Sequence, residues 1–268
     1  MPKDSKKVRI ARAALHFDEE PCISGGGGSG AIFFAGCHVR CVFCQNHSIS
    51  RLLQGKDADS RRLAQIYQEL IEQGAENINL VTADHYADAV VESFGYYRPP
   101  VPVIWNTGGY VRPALLQKLA PFIDVYLADL KFTDRETAKR YCAHEDYFAV
   151  AATAIREMRR LSGKAVFDSR GLIRRGTIVR HLILPNAVEN AKRAIDFVAS
   201  LPETPISLMA QYLPWGEAAA YPEINRTLRP EEYGQVQSYL FATGLDGWVQ
   251  DLSSADASYI PEFNGCGV

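Results

Sequence analysis

The chain has 268 residues, 47% of them hydrophobic, and a formal net charge of −2 from 29 basic and 31 acidic residues. Such a chain can bury a large core, and its balanced charge gives no overall field that favours nucleic acid or an anionic membrane. No apolar run approaches the roughly 20 residues of a spanning helix, and residues 1–10 are polar rather than signal-like. We therefore expect a cytoplasmic protein whose six cysteines are ligands or free thiols.

Short apolar runs rich in β-branched and aromatic residues alternate with amphipathic stretches. The predicted buried strands are AIFFAG, NINLVT, VPVIWNT, IDVYLADLKF, GTIVRHLILP and PISLMAQYLP. A first helix is predicted over SRRLAQIYQELIEQGA, with Ser60 as N-cap and Gly74 as its stop. Further helices are predicted over residues 83–97, 112–120, 134–142, 146–161, 187–201 and 230–243. Alternating strands and helices predict an α/β fold with its chemistry at the C-terminal strand ends.

Three cysteines follow the first predicted strand with the spacing C-x3-C-x2-C. Cys37, Cys41 and Cys44 stand in the segment GSGAIFFAGCHVRCVFCQNHSIS. A structural zinc ion wants four ligands, and His38 or His47 could complete such a site. A [4Fe-4S] cluster held by only three cysteines instead leaves one iron open for reaction. The ample core, and the position of the loop after a strand, favour the iron–sulfur centre.

Two charged residues at the end of the fourth predicted strand are further candidates for the site. Asp129 and Lys131 are two residues apart, so their side chains point to the same face of the strand. Burying an acid and a base there is costly unless they pair or meet a ligand. Arg180 interrupts the fifth strand beside His181, and an inward arginine could clamp a carboxylate in bidentate fashion. The alternatives are a structural ion pair and a contact with a helix.

The cysteine spacing, with the aromatic Phe43 just before the last cysteine, resembles the radical S-adenosylmethionine (SAM) superfamily. Further segments resemble the branch of proteins similar to pyruvate formate-lyase activating enzyme: HFDEEPCISGGGGSGAIFFAGCHVRCVFCQNHSIS, NINLVTADHY, IWNTGGY, VYLADLKF, RHLILP and SLMAQYLP. The resemblance implies a partial, open (β/α)6 TIM-like barrel. It divides the chain into an N-terminal segment with a glycine-rich loop (1–29), the core barrel (30–215), and a C-terminal helix and tail packed on the core (216–268).

The resemblance also implies the chemistry and the partners. The three cysteines would hold a [4Fe-4S] cluster, whose open iron binds SAM. Reductive cleavage of SAM then gives a 5′-deoxyadenosyl radical that abstracts hydrogen, from a glycine of a partner protein in the activating enzymes. The expected partners are a protein or peptide substrate and a flavodoxin- or ferredoxin-type electron donor, with no membrane. Nucleic acid is not expected, since basic and aromatic residues do not interleave.

Other functions stay open at this point. A radical SAM maturase or tailoring enzyme could act on a peptide, an RNA or a small molecule. A zinc-stapled binding module without turnover is the alternative from a different class.

Several further cofactor-binding residues are implied by the resemblance. Phe43 would pack beside adenine, unless it is a core aromatic. Asn106 and Thr107 open the turn NTGGY, which resembles the T-x-G turn of activating enzymes, unless it is an ordinary strand-to-helix turn. The run ADLKF resembles the D-L-K run of the same enzymes, which lies near SAM. Many family members carry a Gly-Gly-Glu turn for the SAM amino group where this chain has TADH, so the Thr82 hydroxyl, Asp84 or backbone carbonyls could substitute. Asp84 could also be an N-cap of the following helix.

Six predicted strands leave a barrel open along one side. We therefore expect a large substrate, with walls supplied by the partner, by the loop 25–30 or by the tail beyond Tyr212. Of the remaining cysteines, Cys142 is expected to be a buried thiol and Cys266 a free tail cysteine, whereas Cys22 is a candidate for a role near the site.

Overall fold

A computed structural model describes residues 6–268, so the first five residues of the predicted segment 1–29 lie outside the described part. The strands are β1 (Lys7–His16), β2 (Ser29–Phe34), β3 (Lys56–Asp59), β4 (Ile78–Val81), β5 (Val103–Thr107), β6 (Val125–Asp129), β7 (Val166–Phe167), β8 (Ile173–Leu182), β9 (Ile206–Met209) and β10 (Gly247–Val249). The α-helices are α1 (Pro21–Ser24), α2 (His47–Ser50), α3 (Ser60–Glu72), α4 (Ala87–Ser93), α5 (Pro113–Leu119), α6 (Arg135–Cys142), α7 (Tyr147–Ser162), α8 (Val188–Ala199) and α9 (Pro230–Thr243). Short 3₁₀ turns cover Asp84–Tyr86, Ala218–Ala220, Leu252–Ser254 and Ala257–Tyr259.

One sheet carries almost all of these strands, in the order β10-β9-β8-β6-β5-β4-β2-β1-β3. The run from β2 to β10 is parallel, and β1 and β3 add to it antiparallel at one end. The predicted strands are β2, β4, β5, β6, β8 and β9, with helices between them. The expected α/β class, a partial and open barrel, is therefore confirmed.

The sheet extends at both ends beyond the predicted strands. β10 pairs parallel with β9, although only a helix and a loop-rich tail were expected there. Its three residues are too few to show a period. At the other end β1 alternates buried residues with more accessible ones over KVRI, a pattern that could have identified it. The N-terminal segment is therefore part of the sheet.

The helices stand close to their predicted bounds, with two corrections. Asp59, not Ser60, is the N-cap of α3, because its carboxylate accepts a hydrogen bond from the Arg62 amide at 2.8 Å. The Ser60 hydroxyl instead donates to the Lys6 carbonyl. The helix expected over residues 83–97 is a 3₁₀ turn followed by the shorter α4. None of the helices in residues 6–268 is long and apolar enough to cross a membrane.

The N-terminal segment fills the lower part of the inner face of the sheet. Helix α1 buries Cys22 and Ile23 against strand residues. Those strand residues are Ile104, Val125, Leu127, Ile173 and Ile178. Burial raises the pKa of the Cys22 thiol to about 12. Cys22 is therefore part of the apolar floor beneath the C-terminal strand ends, and Cys142 is buried as expected.

The tail crosses the opening of the barrel. Residues 251–268, here called the C-terminal strap, start beside β10 and end beside β1 at the other end of the sheet. The Ala13 amide donates to the Cys266 carbonyl at 2.8 Å, and the Gly265 amide donates to the Ala11 carbonyl at 2.9 Å. Of the walls considered from sequence, the tail is the one that the structure places across the gap.

Candidate active site at the carboxyl ends of the strands

A cavity of about 210 Å³ lies at the C-terminal ends of the parallel strands. Every predicted site residue except Asp84 lines it. These residues are Cys37, Cys41, Phe43, Cys44, Thr82, Asn106, Thr107, Asp129, Lys131 and Arg180. Consecutive parallel strands bring them together, since their carboxyl ends share one edge of the sheet.

The three cysteines lie on the loop of residues 36–46, here called the cysteine loop, which joins β2 to α2. Two residues give the loop its shape with positive φ angles, Gly36 at +90° and Arg40 at +54°. A Cβ atom on Gly36 would lie 2.8 Å from His85 Nε2 and would force that ring to move, and the positive φ also favours glycine there. Val42 anchors the middle of the loop: its amide donates to the Tyr141 carbonyl at 2.9 Å, and its carbonyl accepts from the Glu217 amide at 2.7 Å.

The buried thiols of the cysteine loop ionise with difficulty unless a positive charge lies beside them. Burial raises the pKa of Cys37 to about 11 and that of Cys41 well above its ordinary value, and Lys131 partly opposes the effect on Cys41. The Ser50 hydroxyl donates to Cys44 Sγ at 3.3 Å. Thiolates in this setting need a cationic counterpart, which iron or zinc supplies when it displaces the protons.

The two histidines of the zinc alternative have other neighbours. His38 is exposed and lies beside His85, with ring centroids 5.3 Å apart. His47 Nε2 is 3.7 Å from the carboxylate of Glu217. The donor set at the cavity is thus three thiols on one loop, which fits a [4Fe-4S] cluster with one iron left for another ligand.

A layer of paired charges lies in the cavity. Arg180 is at the centre of this layer and donates three hydrogen bonds. Its Nε lies 2.8 Å from Asp129 Oδ1, its Nη2 lies 2.8 Å from Asn106 Oδ1, and its Nη1 lies 3.3 Å from Glu19 Oε1. Lys131 Nζ donates to the other oxygen of Asp129 at 2.6 Å. Burial alone would raise the pKa of Asp129, but Arg180 and Lys131 together hold it below its ordinary value. We call these five residues the charged layer.

Glu19 is a member of this layer that sequence reasoning missed. It precedes α1, and besides Arg180 it accepts hydrogen bonds from the amides of Asn79 at 3.2 Å and Asn106 at 3.3 Å. The neighbouring Glu20 is buried and accepts from the Ser207 hydroxyl at 2.7 Å, and burial raises its pKa. The only signal in the sequence was a pair of acids directly before a proline, within the segment that carries the family resemblance.

Asp84 does not line the cavity itself but bonds to Thr107, which does. Its carboxylate accepts from Trp105 Nε1 and from the Thr107 hydroxyl, both at 2.9 Å. These contacts correct the N-cap alternative, because the carboxylate points to β5 and caps no helix. Burial raises the pKa of Asp84 to about 6. Thr82, with φ +61°, lines the cavity itself. A contact from either residue to the SAM amino group stays a prediction.

Aromatic side chains support the cavity wall. Phe43 makes edge-to-face contacts with Phe132, Tyr141 and Tyr212, with centroids 5.6 to 6.4 Å apart. It is thus a core aromatic that still reaches the cavity. Tyr147, also missed from sequence, donates from its hydroxyl to the Gly108 carbonyl at 2.8 Å or the Asp129 carbonyl at 2.9 Å. It ties the NTGGY turn to the end of β6.

His181 faces away from the cavity. It is fully buried, with Nδ1 2.5 Å from the Leu130 carbonyl, and burial lowers its pKa to about 4. The imidazole is therefore neutral at physiological pH and belongs to the packing beneath the helices. Of the two residues that interrupt the fifth predicted strand, Arg180 is the one that lines the cavity.

Comparisons with known proteins agree with this site. The model of the radical SAM superfamily matches residues 31–178. An uncharacterized protein, MJ0674 of Methanocaldococcus jannaschii, is 30% identical over 229 residues, which cover 81% of this chain and 62% of the relative. The chain therefore spans less than two thirds of that relative.

Two solved structures share the fold at low sequence identity. Streptococcus suis SuiB bound to SAM is 12% identical with a TM-score of 0.56, over 82% of this chain and 50% of SuiB. The protein anSMEcpe with bound SAM is 13% identical with a TM-score of 0.50, over 86% of this chain and 62% of that one. The cysteine loop, the partial barrel and the match over more than half of its length lead to one conclusion: the chain belongs to the radical SAM superfamily, whose cofactors are a [4Fe-4S] cluster and SAM.

Proposed function

We propose that this radical SAM enzyme abstracts hydrogen from a polypeptide, with a glycine of a partner protein as the first candidate position. The observation that carries the proposal is the cavity in which three thiols of one loop face a layer of paired acids and bases. When bound, the [4Fe-4S] cluster supplies the electron that cleaves SAM reductively. A flavodoxin- or ferredoxin-type protein would deliver that electron.

The residues of the cavity divide the work of holding the cofactors. Cys37, Cys41 and Cys44 would hold the cluster. Arg180 uses three of its five N–H donors on protein acceptors, so two remain for a ligand carboxylate. Lys131 stays charged, because Asp129 and Cys41 raise its pKa although burial alone would lower it.

The remaining residues shape and close the cavity. Phe43, within the cysteine loop, offers the cavity an apolar wall. Asn106, held between Glu19 and Arg180, presents a fixed amide to the same space. Buried, mutually paired side chains of this kind orient a ligand without relaxing when it binds, and they keep water from the reacting groups.

Two related structures support a polypeptide substrate. One shows SuiB bound to its precursor peptide SuiA, and another shows anSMEcpe bound to a peptide named Cp18Cys. In this chain a segment of its own tail already lies over the cavity, with Tyr259, at the end of a 3₁₀ turn, and Pro261 in the lining. A polypeptide therefore fits the entrance sterically.

The test follows deuterium into the product of SAM cleavage. The anaerobically reconstituted, dithionite-reduced protein is incubated with SAM and with extracts of cells grown on deuterated glycine, separated into polypeptides and small molecules. We expect deuterium in 5′-deoxyadenosine with the polypeptide fraction only. Cys41→Ala should give no 5′-deoxyadenosine, whereas Cys142→Ala serves as the matched control. Transfer from the small-molecule fraction alone would contradict the proposal and favour a tailoring enzyme for metabolites.

A further inference from the structure

The C-terminal strap forms one wall of the cavity. Tyr259 and Pro261 line the same space as the three cysteines. Two residues further on, the ring of Phe263 meets the ring of Phe33 edge-to-face at 5.4 Å. Phe263 also packs on a small buried cluster of the inner face, which includes Ile49 and Val81. The strap therefore covers the lateral opening that the incomplete barrel leaves beside β1 and β2.

The end of the strap is held by main-chain hydrogen bonds, besides the packing of the Phe263 and Val268 side chains on buried clusters. Two backbone hydrogen bonds join Gly265 and Cys266 to the edge of β1, in continuation of β3. Three basic side chains donate to strap carbonyls. These contacts are Arg12 to Glu262 at 3.0 Å, Lys56 to Gly265 at 2.9 Å and Arg62 to Gly267 at 3.3 Å. Such main-chain contacts restrict the side chains of the bound segment only where the two backbones come very close, as in the addition of a peptide strand to a sheet edge.

Glycine gives the strap its close approach to β1. Gly267 has φ +74°, and a Cβ atom there would lie 2.0 Å from the Ala13 carbonyl oxygen. No side chain can be accommodated at that distance without movement of the strap. Gly163 has almost the same φ, +73°, but a Cβ atom there would meet nothing within 4 Å. The two glycines differ in this contact and so form a matched pair.

The strap has little burial of its own. Tyr259 is 47% exposed, and Phe263 is only half-buried. By contrast the strand β2 beneath it is buried along its whole length. A segment with few buried apolar contacts opens at a lower free energy than the core on which it lies.

We propose that the edge of β1 at residues 11–13, together with Phe33, is a docking surface for a polypeptide segment that carries an aromatic residue four positions before a glycine, as Phe263 and Gly267 do in the strap. In the resting protein the strap occupies this surface, and a polypeptide substrate takes its place when it enters the cavity. The proposal rests on the proposed function for the identity of the partner. Its geometry rests on the main-chain contacts and on two side-chain requirements, an aromatic ring at the place of Phe263 and a glycine at the place of Gly267, which another polypeptide segment can repeat.

The test measures access to the cluster rather than turnover. The reconstituted protein is exposed to the iron chelator bathophenanthroline disulfonate, and iron release is followed by absorbance. Phe263→Ala and Gly267→Ala should each release iron about tenfold faster than the wild type, because each loosens the strap. Gly163→Ala and Phe241→Ala, at an exposed position of α9, are the matched controls and should release iron at the wild-type rate.

A peptide added in trans tests the docking surface itself. A synthetic peptide of residues 258–268 with Cys266→Ser should restore slow release to the Phe263→Ala protein, and the same peptide with Phe263→Ala should not. Unchanged release from both strap variants would overturn the proposal, as would failure of the peptide to restore protection. These results do not depend on SAM cleavage, so a negative deuterium test beside a positive peptide test would reject the reaction and keep the docking surface.

Discussion

Replacing Arg180 by alanine should destabilise the protein, because it leaves the buried carboxylates of Glu19 and Asp129 with less positive charge beside them. Its side chain is only 12% exposed, and its partners Glu19 and Asp129 are 13% and 17% exposed. Removing one partner of a buried ion pair costs about 3–5 kcal/mol. Here the lower value applies, because Asp129 keeps Lys131 and Glu19 keeps the amides of the charged layer. A loss of about 3 kcal/mol lowers the melting temperature by roughly 6–12 °C in a chain of this size.

The loss of melting temperature in Arg180→Ala should also depend on pH and should be larger in base than in acid. In the wild type the pKa of Asp129 is held below its ordinary value, so this carboxylate stabilises the fold above its unfolded pKa and loses that contribution in acid. Without Arg180 the effect of burial on Asp129 is less opposed, and its pKa rises. Protonation of Asp129 then removes part of the cost of burying its unpaired charge. The difference in melting temperature between the wild type and Arg180→Ala should therefore be larger at about pH 8 than at about pH 6.

The assay is thermal unfolding of the anaerobically reconstituted protein, followed by circular dichroism at both pH values. Arg160→Ala, which breaks an exposed pair with Glu157 on α7, is the control and should hardly change the melting temperature. The double variant Glu19→Gln with Arg180→Ala should melt higher than Arg180→Ala alone, because one uncompensated charge is gone. A deficit that is the same at both pH values would refute the electrostatic reasoning and leave lost packing as the cause.

Three further predictions follow from the site. Cys41→Ala should abolish iron retention and Cys142→Ala should preserve it, as measured by iron analysis. Full iron content in Cys41→Ala would show that Cys41 is not a cluster ligand. Gly109→Ala, whose new Cβ atom would lie 2.2 Å from a backbone carbonyl, should lower the melting temperature clearly more than Gly74→Ala, where nothing lies within 4 Å. Because burial raises the pKa of Asp84 to about 6, stability is lost as pH rises through that value. Asp84→Asn should therefore raise the melting temperature at about pH 8, by up to about 3 kcal/mol in stability, and should raise it by less at about pH 5.5. An equal gain at both pH values would contradict this origin.

The sequence predicted those parts of the site that follow from local pattern. The apolar runs located the strands of the barrel, because buried parallel strands need continuous apolar sequence. The cysteines follow β2 within a few residues, so their place at its C-terminal end was accessible from spacing. Asp129 and Lys131 were assigned to one face by strand alternation, and both line the cavity.

The missed parts are contacts between residues far apart in the chain. Glu19 meets Arg180 across 161 positions, and Arg12 meets the Glu262 carbonyl across 250. Glu19 lies in a turn without hydrophobic period, and the strap has neither a regular helix nor a strand. Such segments take their position from the surface on which they pack, and a local pattern carries no information about that surface.

The charged layer and the strap depend on each other physically. A strap that excludes water from the cavity makes any unpaired charge there expensive. The layer meets this condition, because the cations Arg180 and Lys131 stand against the carboxylates Asp129 and Glu19. SAM brings a carboxylate, an ammonium and a sulfonium, and a site that holds both signs can offer each of them an opposite charge. Loss of one charge should therefore weaken SAM binding more in the wild type than in the Phe263→Ala protein, where water reaches the cavity and screens the imbalance.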